Sequence, residues 1–186
     1  MIHHLDDTLK ELLIQKVPID TTAIDIKFQM PDKDWATSLT KPTINLFLYD
    51  IRENHELRSN ERYLARNGAL GTETLAATRI DVAYLITIWT KDIADEHRLL
   101  GDILKTLLGY PILPTEILKG EIANQSLPIR AWIAQSERTP NAWDFWSAID
   151  GRLKAGISYM VTIAVEPFAS VKVGLVTENV VKIQQK

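Results

Sequence analysis

The chain has 186 residues, 46% of them apolar, and a formal net charge of −3 from 21 basic and 24 acidic side chains. That length supports a core without staples, and the near balance of charge argues against a protein that grips duplex nucleic acid, which needs a clustered basic surface. The absence of cysteine excludes disulfides, thiolate catalysis and cysteine-ligated zinc or iron–sulfur centres.

Ile2, Leu5, Leu9, Leu12 and Leu13 recur at helical spacing among charged residues, and Pro18 marks the end of the helix they predict. This start lacks the basic residues, apolar run and small-residue cleavage site of a signal peptide, and no window approaches the ~20 apolar residues that span a bilayer. The expectation is a soluble protein folded in the cytoplasm. Ile24, Ile26 and Phe28 alternate with charges as a short strand, and residues 31–34 form a turn leading to one helical turn at Trp35. Residues 43–51 and 79–90 are apolar on both faces, which predicts two central strands covered on each side.

Between them the chain is polar. Asp50, Glu53, Glu56 and Glu61 stand against Arg52, Arg58, Arg62 and Arg66, followed by turn chemistry at Asn67-Gly68 and Gly71-Thr72. Residues 95–108 carry a broad leucine and isoleucine stripe, with acids in the first turn and Gly109 as a stop, which predicts a helix. Residues 110–114 hold two prolines and read as a rigid connector, with a short helix at 115–118 and an edge strand over 127–134. Thr139-Pro140 opens a helix running through Ala148, and Tyr159, Val161, Ile163 and Val165 define a last core strand. Beyond Pro167 the chain is valine-rich to Val181.

Catalytic signatures are sparse. His3, His4, His55 and His97 are scattered, His3 and Asp7 alone make a weak metal pair, and no His-Glu-x-x-His run exists. The glycines at 68 and 71 lack the Lys-Ser/Thr of a phosphate loop. Ser59 near His55 and Glu56 has no buried acid to complete a triad. Trp132, Trp143 and Trp146 read as core anchors before they read as a ligand platform. The ionic stretch from Asp50 to Arg66 fits a solvated hairpin and a docking surface equally well.

Six stretches are specific in order and content: PTINLFLYDIREN at 42–54, ELRSNE at 56–61, RIDVAYLITIWT at 79–90, DEHRLL at 95–100, PILP at 111–114 and WSAID at 146–150. Together they resemble the cap, or tail-terminator, proteins of extracellular contractile injection systems, the phage-tail-like particles of antifeeding-prophage and virulence-cassette type. The resemblance implies a non-enzymatic, cofactor-free structural protein. Such a protein caps tube and sheath away from the baseplate as a homo-hexamer, ends polymerisation and couples tube to sheath, without binding nucleic acid or inserting into a membrane. The expected fold is one α/β (α+β) domain over residues 1–168, with a central mixed or mostly antiparallel sheet and helices mainly on one side. Residues 169–186 form a tail that is either a strand donated to a neighbouring subunit or an edge strand of its own sheet. The interface candidates are Arg52, Glu53, Glu56, Arg58, Glu61, Arg62, Val171 and Val173. The rival readings are an adaptor for cargo or membrane anchoring and a small hydrolase using Asp81 or Glu96.

Overall fold

In this computed structural model, which describes residues 1–67, 70–135, 142–166 and 169–174, the elements follow in the order α1 (Ile2–Lys16), β1 (Asp25–Lys27), α2 (Lys33–Ser38), β2 (Thr43–Glu53), β3 (Arg62–Asn67), β4 (Leu70–Leu75), β5 (Thr78–Trp89), α3 (Ile93–Leu108), β6 (Arg130–Ile133), α4 (Ala142–Ala148), β7 (Gly156–Val165) and β8 (Val171–Gly174). Two compact bodies divide the chain. The first comprises Met1–Arg52 with Ile80–Ile163, and the second Glu53–Arg79 with Ala164–Lys186.

The first body is built on a five-stranded sheet in the order β1-β2-β5-β7-β6. β1 runs parallel to β2 and β6 antiparallel to β7, so the sheet is mixed, as the sequence predicts. β5 takes the middle position, and its apolar character on both faces is the reason. Val82, Tyr84, Ile86 and Ile88 are buried on one face, Ala83 and Thr87 on the other. Opposite parity along β5 recruits opposite layers. Tyr84 donates a hydrogen bond at 2.7 Å to Asp6 of α1. On the other face Trp89 packs edge-to-face on Trp35 of α2, with ring centroids 5.3 Å apart, and against Trp146 of α4 at 6.4 Å. The short helices α2 and α4 therefore meet the face opposite to the one that meets α1.

Local chemistry sets the helix boundaries. In α1 the leucines at 5, 9, 12 and 13 are buried, and Val17 turns extended just before Pro18. The Asp32 carboxylate accepts from the Trp35 N–H at the start of α2. Asp92, outside the helical stretch the periodicity predicts, caps α3 by accepting from the N–H groups of Ala94 and Asp95. β6 lies at the sheet edge, as expected. Its outer side is partly covered by the proline connector, through bonds from Leu113 N–H to the Ile129 carbonyl and from Ala131 N–H to the Pro111 carbonyl, both 2.9 Å. The Thr139-Pro140 cap lies outside the described residues.

The second body carries a three-stranded antiparallel sheet, β3-β4-β8. This corrects one expectation. Gly71 and Thr72, assigned to a turn, lie within β4 and pair with Arg66 and Ala65 of β3. Val171–Gly174 pairs with β4, Val171 standing opposite Glu73. Strand pairing between segments so distant in the chain leaves no mark in local periodicity. Val171 and Val173 sit in a strand that pairs with β4; residues 175–181 of the valine-rich stretch lie outside the described residues.

Candidate assembly surface

The alternating charges resolve into separate pairs. Arg52 binds Asp50 at 2.6 Å within the first body. In the second body the Arg58 Nε lies 3.3 Å from Glu53, and Arg62 donates to Glu73 at 2.8 Å. The Glu73 carboxylate holds the Arg62 guanidinium above its ordinary value. Glu61 accepts from the Tyr63 hydroxyl at 3.2 Å, and Glu56 is exposed in a 3-10 turn at His55–Leu57. Asn54 secures that turn: its side chain accepts from the Leu57 N–H, and its own N–H donates to the Arg79 carbonyl at 2.8 Å. Glu53, Arg58, Arg62 and Leu75 line an open cleft of about 400 Å³ together with Ser59 and Asn60. Of the eight interface candidates, Glu53, Glu56, Arg58, Glu61, Arg62, Val171 and Val173 fall in the second body, while Arg52 belongs to the first.

Strand register shows what the sequence reading missed. Cross-strand partners share a face, so Arg62 with Leu75, Leu64 with Glu73 and Val171, and Arg66 with Gly71 and Val173 form one side of the small sheet. Leu64, Leu75 and Val171 on this side are 47%, 41% and 59% exposed. Tyr63 and Leu70, on the opposite side, are 58% and 59% exposed. Leu64, Leu70, Leu75 and Glu73 were absent from the sequence candidates. β3 reads Arg-Tyr-Leu-Ala-Arg-Asn, with no alternation to separate an inner from an outer face.

The residues proposed for rival chemistry are engaged elsewhere. Asp81 on β5 is buried and accepts a hydrogen bond from the Thr162 hydroxyl. Glu96 on α3 is buried and paired with Lys154, whose ammonium lies over the Trp89 ring at 5.1 Å from its centroid. The His4 ring lies tilted against that of His3, centroids 3.9 Å apart, and its Nδ1 accepts from the Glu121 N–H at 3.3 Å. Ser59 Oγ accepts from the Glu61 N–H at 3.2 Å, a turn bond. Trp146 is buried against Phe145 and Trp89, the core role expected of it. Among the described residues no group of three His, Asp or Glu side chains is placed to hold a metal ion, and no helix is long and apolar enough to cross a membrane.

The fold has solved counterparts. It matches the sheath/tube terminator of PVC, an extracellular contractile injection system in its extended state, with a TM-score of 0.74 and 21% identity, over 100% of this chain and 64% of that one. It also matches the tube-terminating cap of the anti-feeding prophage, with a TM-score of 0.71 and 19% identity, over 98% of this chain and 61% of that one. The chain therefore spans less than two thirds of the length of either, and what they share at this identity is the fold. No curated protein matches the sequence. The Pvc16 N-terminal domain family matches residues 4–178, and because that is nearly the whole chain, the protein belongs to this family.

Proposed function

We propose that this protein is a structural cap of a phage-tail-like contractile injection particle. In this reading it ends tube and sheath polymerisation at the end away from the baseplate and couples the last sheath layer to the tube. The observation that carries the proposal is the family match over residues 4–178, joined to the likeness of the whole chain to a sheath/tube terminator. Capping is a task of surfaces, and the chain fits it. Its buried carboxylates are held by internal partners, and its large exposed apolar side chains include five on one small sheet. Six copies form a ring matching a six-fold tube, assembled in the cytoplasm without a cofactor, through head-to-tail contacts that close. The ring uses the charged segment containing Glu53, Glu56, Arg58, Glu61 and Arg62, with Arg52 beside it in sequence.

The test is to remove the protein from particle-producing cells and measure tube and sheath lengths by electron microscopy, alongside a reconstruction of complete particles. The proposal expects a broad length distribution without the protein and a six-fold ring of it at the end away from the baseplate. Normal lengths, or the protein at the baseplate end, would overturn it.

A further inference from the structure

Among its described residues the second body has a sheet but no core of its own. No apolar side chain among those residues is buried, whereas the first body has a buried apolar core that includes Leu5, Leu9, Ile44, Val82, Ile86 and Ile103. Three strands are stable in water only when an apolar face is packed against something. Leu64, Leu75 and Val171 stand exposed around the Arg62–Glu73 ion pair on one side, an apolar patch with a charged centre. We infer that this face is the joint between copies of the chain, seated on the first body of the neighbouring copy. The inference rests on the ring proposed above and names the surface and partner that close it.

Charge selects this occupant. Over the described residues the second body holds five basic and five acidic side chains and the first thirteen and seventeen, so their formal charges are 0 and −4. On the patch itself Arg62 and Glu73 neutralise each other, leaving Arg66, which has no ion pair among the described residues, as the net charge. A second body on a first body sets Arg66 against an acidic partner. Two second bodies meeting by a two-fold axis would set Arg66 near its own copy, like charge against like. The first arrangement is heterologous, the kind that generates rings; the second stops at a dimer.

The cysteine-free chain makes the test clean. Val171→Cys places a single thiol on the patch, and Leu70→Cys places one of equal exposure on the opposite side of the same sheet. Each variant is labelled with a maleimide–benzophenone cross-linker, assembled into particles, irradiated and mapped by peptide mass spectrometry. A concentrated sample of the free protein is treated in parallel. The expected product from Val171→Cys has twice the 21.1 kDa chain mass, with its far end in Met1–Arg52 or Ile80–Ile163 of the partner copy and a yield at least tenfold above that from Leu70→Cys. Adding Leu64→Asp should lower that yield tenfold while leaving the melting curve in place. An adduct to a different protein, an adduct mapping to Glu53–Arg79, equal yields from the two sides, or no doubled mass in either sample would overturn the inference. Absence of the protein from particles would instead refute the capping proposal, and the free-protein sample would then decide the joint by itself.

Discussion

Replacing Tyr84 with Phe tests whether the bond between α1 and the central strand matters as the geometry says. The Tyr84 side chain is fully buried, and its hydroxyl donates to Asp6 at 2.7 Å. Burial pushes the Asp6 carboxyl above its ordinary 3.8, the hydrogen bond from Tyr84 pulls it partway back, and Asp7 adds a smaller upward push. A carboxyl raised in this way destabilises the fold in its ionised form. The cost is absent below the unfolded value, grows as pH rises through the folded value and is complete above it. Losing the hydroxyl raises Asp6 further, so the variant bears a larger cost at neutral pH. Hydrogen bonds to charged groups are worth ~1.5–3 kcal/mol, and because Asp6 is only half-buried and water can replace part of the loss, we expect the low end, ~1–1.5 kcal/mol at pH 7. For a chain of this size that is a fall in Tm of ~3–5 °C. Urea unfolding of both proteins between pH 7 and pH 4 reads the effect, and the difference should narrow as the pH falls and Asp6 becomes protonated in both. A difference that stays constant with pH, or widens toward acid, would refute the account of Asp6.

Two further outcomes follow from particular residues. Arg58→Glu with Arg62→Glu reverses two exposed partners of Glu53 and Glu73; the melting curve should stay nearly in place while particles carrying the variant show tubes and sheaths of uncontrolled length, and normal lengths would return these charges to the status of solvated surface. Gly120 has φ +50°, and a Cβ there would lie 2.4 Å from the His4 ring, so Gly120→Ala should destabilise by at least the ~1–2 kcal/mol of a left-handed alanine. Adding His4→Ala should recover the steric part but not the backbone part, and equal Tm values for wild type and Gly120→Ala would contradict the geometry.

Much of the first body was legible because its elements are locally self-consistent. The heptad-like leucines of α1, the stripe of α3 and the two-faced apolar runs of β2 and β5 each carry their burial in their own spacing. The placement of β6 at an edge and of Trp146 in the core followed from the same reasoning. Asp92 was missed as the cap of α3 because capping depends on one side chain just outside the periodic stretch.

The sequence by itself determined the α/β class, the central strands, the family resemblance and the ionic segment as the place to look for a surface. The tertiary structure decided that this segment divides, Asp50 and Arg52 staying in the first body and Arg62 entering a separate small sheet, that Arg62 pairs with Glu73, and that Leu64, Leu75 and Val171 share one exposed face. The physical reason is the source of the ordering. A buried strand must advertise its inner faces in its composition, because each inward side chain is removed from water. The small sheet buries no apolar side chain among its described residues, so its composition carries no such mark. Its strands are held by backbone ladders between segments far apart in the chain, and a ladder of N–H and C=O groups looks the same whatever side chains it carries.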